Sequence, residues 1–138
     1  MYKSVIQHKN LTVKLINNLA DFKLFSNPYL VKIIIDNIIS NAVKYSFTNQ
    51  TINITIGQND KDFLLSITNT GQKLSKEDKD NLFEIFYRAE NNTEEGHGIG
   101  LALAKKAANA LNFQIEVKAD HQTTFTLFIP LAQNLRFA

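Results

Sequence analysis

Ser26-Asn27-Pro28-Tyr29-Leu30-Val31-Lys32-Ile33-Ile34-Ile35-Asp36-Asn37-Ile38-Ile39-Ser40-Asn41-Ala42-Val43-Lys44-Tyr45 is the stretch on which the fold turns. It opens on Ser26 or Asn27, whose side chains accept hydrogen bonds from the free N–H groups of a first helical turn. Pro28 follows, at a position where a missing N–H does no harm. A helix is predicted from 28 to 44 or 45. At about 100° per residue, Asn37, Asn41 and Lys44 fall within an arc of roughly 60°. Ile34, Ile35, Ile38, Ile39, Ala42 and Val43 fill the opposite side. One flank of the helix needs a core; the other carries two carboxamides and an ammonium.

Before this helix, residues 11–16 alternate apolar and polar side chains and read as a strand with one buried face. Residues 17–21 read as a turn and 22–25 as a second short strand. Beyond the helix, 51–56 and 63–68 alternate again, with 57–62 as a hairpin loop. Residues 69–73 are irregular. Ser75-Lys76-Glu77-Asp78 is a capping-box pattern that starts a short helix reaching about Phe86. Residues 88–97 are polar and without period, a mobile loop. Gly98 or Gly100 opens a helix to about Leu111, with Leu101, Leu103, Ala104, Ala107, Ala108 and Leu111 on its buried face. Residues 113–117 and 123–129 are the last strands, and Pro130 ends the sheet. The order β-β-α-β-β-α-α-β-β predicts an α+β two-layer sandwich, its mixed and mostly antiparallel sheet covered by helices on one face.

Length and composition agree with that plan. The 138 residues suit one domain with one core. Apolar residues are 44% and charged residues 20%, the balance of a globular protein. A formal charge of +2 is too small to argue for nucleic acid or an anionic membrane. Cysteine is absent, which excludes disulfides, thiolate zinc sites and thiol nucleophiles. No apolar run reaches the length of a membrane span, and the start lacks the apolar core of a signal peptide. The expectation is a cytoplasmic domain at 11–130, with 1–10 as a lead-in from an upstream segment and 131–138 as a frayed tail.

Three further groups of residues carry chemistry. Of five glycines, Gly96, Gly98 and Gly100 fall within one short loop that runs into a helix. Glycine lets a backbone approach a phosphate, and a helix N-terminus supplies free N–H groups and a positive dipole end. The spacing is neither that of a P-loop nor that of a Rossmann fingerprint. At the end of a strand, Asn69-Thr70-Gly71 places an amide that can read a base edge beside a glycine. Phe83 and Phe86, at i and i+3, can anchor the hinge of the polar loop. Taken singly, these groups and the helix stripe read more simply as a tight turn, an Asn-rich turn, core packing and a solvated face.

Their order and spacing together resemble the ATP-binding catalytic domain of sensor histidine kinases, within the wider Bergerat-fold ATPases and kinases. Asn37…Asn41-Ala42-x-Lys44-Tyr45, Asn69-x-Gly71, Phe83-x-x-Phe86-Tyr87-Arg88, Gly96-x-Gly98-x-Gly100-Leu101 and Thr123-Thr124-Phe125 follow one another as in that family, from about Leu11 to Pro130. The resemblance implies Asn41 as the principal Mg²⁺ ligand, with Asn37 assisting. It implies Lys44 on a phosphate, Tyr45 against the nucleotide, and Asn69 as acceptor for the adenine amino group. Gly96, His97, Gly98, Gly100 and Leu101 would shape the lid and triphosphate site, with residues 88–97 as a short ATP lid. Arg88 would contact phosphate and Thr124 would reach the adenine. Two positions depart from the pattern: Asn69 stands where the family usually has Asp, and Lys73 where a second glycine is usual.

ATP-hydrolysing relatives carry a Glu one helical turn before the metal-binding Asn. Here that position is Asn37, and a carboxamide does not serve as a base for water. The implied activity is transfer of the γ-phosphoryl of Mg-ATP to a histidine on a separate dimerisation domain, upstream in the same protein or in trans, which would serve a response regulator. His8, His97 and His121 lack the surroundings of a phosphoacceptor. Two other readings stay open: a serine kinase of the anti-sigma-factor type, and a nucleotide-sensing scaffold without phosphotransfer.

Overall fold

The computed structural model describes residues 3–19, 24, 26–84 and 100–131. Its elements are α1 (Lys3–Lys9), β1 (Thr12–Asn17), α2 (Pro28–Tyr45), β2 (Thr51–Gln58), β3 (Asp62–Asn69), α3 (Lys76–Asn81), α4 (Gly100–Ala110), β4 (Gln114–Ala119) and β5 (Thr123–Pro130). The five strands form one sheet in the order β1-β2-β3-β5-β4. β1 runs parallel to β2, and every other pairing is antiparallel. A parallel neighbour needs a crossover, and α2 supplies it.

Alternation along the strands sorts the sheet into two faces. Ile67 lies opposite Phe125, and Leu65 opposite Leu127. These residues turn toward the helices, where they meet Ile34, Ile38, Ala42 and Val43 of α2 and Ala104, Ala107 and Ala108 of α4 in one core. Alanines on α4 let its backbone come close to α2. The outer face carries hydroxyls instead: Ser66 and Thr126 meet at 3.1 Å, and Thr68 and Thr124 at 2.9 Å. The two-layer arrangement is the one expected from the order of elements.

Local chemistry explains most boundaries. The Asn27 side chain accepts from the N–H groups of Tyr29 and Leu30 at 2.9 and 3.2 Å, so α2 begins where its cap and proline place it. The β2–β3 hairpin is tighter than expected. Asn59 Oδ1 accepts from the N–H groups of Lys61 and Asp62, which lets the strands run on through Gly57, Gln58 and Asp62. The capping box at Ser75 forms as read, and its Asp78 is buried. The helix it starts ends at Asn81, short of Phe86, and Leu82–Glu84 turn away from it. There the Phe83 ring stands edge-on to Phe125, 6.2 Å between centroids. Phe83 is therefore a core residue, while Phe86 lies outside the described residues.

Two elements differ from the reading of the sequence. Residues 3–9 form a helix where a polar lead-in was expected. It stops in a Schellman motif: Asn10 adopts φ 53°, Asn10 N–H donates to Gln7 O at 3.2 Å, and Leu11 N–H donates to Ile6 O at 2.9 Å. The signal was Asn10, a residue tolerant of positive φ, just before buried Leu11. α4 ends the same way, on Asn112 at φ 58° and buried Phe113. The strand expected at 22–25 lies, Leu24 apart, outside the described residues, and Leu24 is not in a strand. Of the tail, only Leu131 is described.

Leu127 is fully buried between β3 and the helices. Leu127→Ala is expected to destabilise the fold by roughly 2–5 kcal/mol, read from the urea unfolding midpoint.

Candidate functional site

The polar stripe of α2 does not point into the core. Asn37, Asn41 and Lys44 are half-buried, beside the fully buried row Ile34, Ile38 and Ala42. Asn37 Nδ2 donates to Ile33 O at 2.7 Å, which turns its Oδ1 outward. That oxygen faces the first residue of α4: a Cβ added to Gly100 would lie 2.8 Å from it. Glycine at 100 thus permits the free N–H end of α4 to approach the α2 stripe. Leu101, next on α4, packs against the core. The Asn41 amide makes no hydrogen bond to any described residue. Lys44 Nζ stands 5.9 Å from the centroid of the Tyr45 ring, within cation–π range.

A second cluster forms where β3 ends. Ser46 N–H and Oγ both donate to Ala42 O, closing α2. Ser46 then bridges to Gly71, and Phe47 N–H donates to Thr70 O at 3.0 Å. A Cβ on Gly71 would sit 1.9 Å from Tyr45 O, inside backbone that has no room to move. Gly71 is therefore the point at which the exit of β3 crosses the end of α2, and the crossing carries Asn69 to the turn that holds Tyr45. Asn69 is buried at 3% exposure, yet its amide makes no hydrogen bond to any described residue. Lys73 is exposed and takes no part in the crossing, so glycine is not required there.

Thr124 requires a correction. It was expected to reach the base beside Asn69, but its hydroxyl bonds Thr68 on the outer face of the sheet. Asn69 pairs with Thr123, which is buried on the helix side. One residue along a strand reverses the face, so Thr123, not Thr124, lies on the same side of the sheet as Asn69. The sequence reading also missed Gln72, whose Oε1 is buried without a hydrogen-bond partner beside Gly71. A buried acceptor of that kind calls for a donor from water or a ligand. Gln122 Nε2 donates to Thr70 Oγ1 at 3.1 Å and ties the β4–β5 turn to the same place. Arg88, Gly96, His97 and Gly98 lie outside the described residues, as does the whole of 88–97.

Neutral amide oxygens are hard donors of the kind Mg²⁺ accepts while keeping several of its waters. The outward Oδ1 of Asn37 and the uncommitted amide of Asn41, one helical turn apart, fit such an ion. Among the described residues no group of three or more His, Asp or Glu side chains offers a competing metal site. No helix among them is long and apolar enough to cross a membrane.

Comparison with known proteins gives the family and the fold. Residues 26–133 match the family of histidine kinase-, DNA gyrase B- and HSP90-like ATPases, and the chain belongs to that family. It is 33% identical over 113 residues to the probable sensor kinase SilS of Salmonella typhimurium, covering 79% of this chain and 23% of that protein. It is 30% identical over 134 residues to the heme sensor protein HssS of Staphylococcus saprophyticus, covering 92% of this chain and 29% of that protein. The chain thus spans less than a third of the length of these relatives. The fold is that of the mycobacterial sensor histidine kinase MprB, with a TM-score of 0.81 at 20% identity over 93% of this chain and 89% of that one. The catalytic domain of the histidine kinase ThkA gives 0.79 at 21% identity over 94% and 86%. The family model thus defines a domain of the histidine kinase-, DNA gyrase B- and HSP90-like ATPase class, with a fold shared with sensor histidine kinases.

The crossing at Gly71 generates a paired prediction. Gly71→Ala forces backbone apart and is expected to destabilise by roughly 2–4 kcal/mol. Gly57→Ala, with nothing within 4 Å of the added Cβ, should change stability by no more than about 0.5 kcal/mol. Thermal melts of the two variants side by side check the contrast.

Proposed function

We propose that this domain binds Mg-ATP and donates the γ-phosphoryl group to a histidine on a separate dimerisation and phosphoacceptor domain. Residues 11–130 would form the nucleotide-binding unit, acting at the membrane-free, cytoplasmic side of a longer sensor protein and serving a response regulator. The observation that carries this reading is the convergence on α2. Its polar stripe meets the N-terminus of α4 at Gly100, while its last turn meets the Asn69 amide through Gly71.

The base would lie at the second cluster. Asn69 Oδ1 would accept from the 6-amino group of adenine, beside the Thr123 hydroxyl and the unpaired Gln72 Oε1. Tyr45 would pack on the nucleoside. The triphosphate would run toward Gly100, where the N–H groups of α4 and the Lys44 ammonium meet negative charge. Asn41, with Asn37, would hold the ion. Mg²⁺, when bound, neutralises phosphate charge and orients the γ-phosphoryl for in-line transfer. Asn37 holds no proton-accepting group, so an activated water is not part of this site. Positioning of the phosphates against an incoming imidazole does the remaining work. Arg88, Gly96, His97 and Gly98 are proposed for the lid and phosphates from the resemblance alone.

Isothermal calorimetry tests the reading. Mg-ATP and Mg-ADP should each give a saturable heat, and Asn41→Ala should abolish the Mg²⁺-dependent part. Absence of heat for the wild-type domain would sink the proposal. When the domain is mixed with a histidine-bearing helical partner and labelled ATP, the label should be acid-labile. An acid-stable label marks a serine kinase instead, and no label at all marks a scaffold.

Asn69 also predicts a gain. A carboxylate accepts a stronger hydrogen bond than an amide by about 1 kcal/mol. Asn69→Asp is expected to tighten ATP binding by roughly fivefold in the same calorimetric experiment.

A further inference from the structure

The last carbonyls of a helix have no partners of their own. In α2 they belong to the turn that carries Lys44 and Tyr45. Ala42 O is taken by Ser46. Val43 O and Ser46 O accept from Lys9 Nζ at 3.3 and 3.1 Å, and Lys44 O accepts from the same ammonium. Lys9 is the final residue of α1, more than thirty positions earlier in the chain. Two helix C-termini, both negative dipole ends, thus meet with one cation between them. Neighbouring bonds hold the junction: Asn49 N–H donates to Lys9 O at 2.8 Å, and Asn10 Nδ2 donates to Asn49 Oδ1 at 2.8 Å. Both asparagines sit in the left-handed region, at φ 53° and 63°.

α1 has little else to hold it. None of its residues is fully buried, and only Val5 and Ile6 pack against the core. The geometry points to Lys9 as a positioning residue for the nucleotide site. By capping the last turn of α2 it fixes the backbone from which Lys44 and Tyr45 project, and it links the docking of α1 to the binding of nucleotide. This inference rests on the ATP reading above. Linkage is reciprocal: nucleotide that favours the ordered turn favours docked α1, and an undocked α1 weakens nucleotide by the same factor.

The test uses Lys9→Met, Lys9→Gln and Lys9→Arg in calorimetry with Mg-ATP, alongside amide hydrogen exchange over residues 3–9 with and without Mg-ATP. Wild-type α1 should exchange more slowly when nucleotide is bound. Lys9→Met and Lys9→Gln should raise the Kd by about fivefold or more and lose that nucleotide-dependent protection. Lys9→Arg, which keeps the cation, should restore both. A merely structural lysine would lower the melting temperature and leave the Kd and the protection unchanged, and that result overturns the inference. So does wild-type exchange in α1 that ignores Mg-ATP, a measurement that stands even where a variant fails to fold. Wild-type protein that gives no heat with Mg-ATP removes the nucleotide reading and this one with it. Normal wild-type binding with unaltered variants removes only the role of Lys9.

Discussion

Gly71 lies so close to the carbonyl of Tyr45 that no side chain fits between them. The rest of the site depends on that approach. Because β3 exits across the end of α2, the amide at the end of the strand lies beside the last turn of the helix. Without it, Asn69 and Tyr45 would belong to separate surfaces. The bridge between Ser46 and Gly71 and the bond from Phe47 to Thr70 hold the crossing in register. Backbone groups make this junction, so side-chain repacking does not loosen it.

The chemistry built on this frame relies on neutral donors. The polar flank of α2 and the end of β3 both present side-chain amides, at Asn37, Asn41 and Asn69. Such groups orient and bind without moving protons, which is what the proposed phosphoryl transfer would ask of them. In the proposed reading, Asn37 in place of a carboxylate would separate that transfer from hydrolysis. Helix ends lie at both ends of this frame: Gly100 brings the N-terminus of α4 toward Asn37, while Lys9 donates to the last carbonyls of α2.

Sequence patterns carried much of this. The cap at Asn27 with Pro28, the isoleucine face and the asparagine stripe define α2 to the residue, because these signals are local and strong. The strands were visible through alternation, and the capping box through its spacing. α1 escaped because seven largely polar residues show no periodicity; its stability comes from a Schellman stop and from a lysine that reaches another helix. The threonine that shares a face with Asn69 is Thr123, one residue before the one read from the sequence. Thr123 and Thr124 are chemically alike, and only the pairing register says which faces the helices.

By itself, the chain determined most of its elements and their order, α1 apart, and the polar flank of α2, since those follow from neighbouring residues and short periodicities. Only the tertiary structure decided that Gly71 and Gly100 are the points of closest approach, that Thr123 stands beside Asn69, and that Lys9 caps α2. Each of these joins residues distant in sequence, and the distances between such residues are set by packing of the sheet against its helices rather than by any local preference.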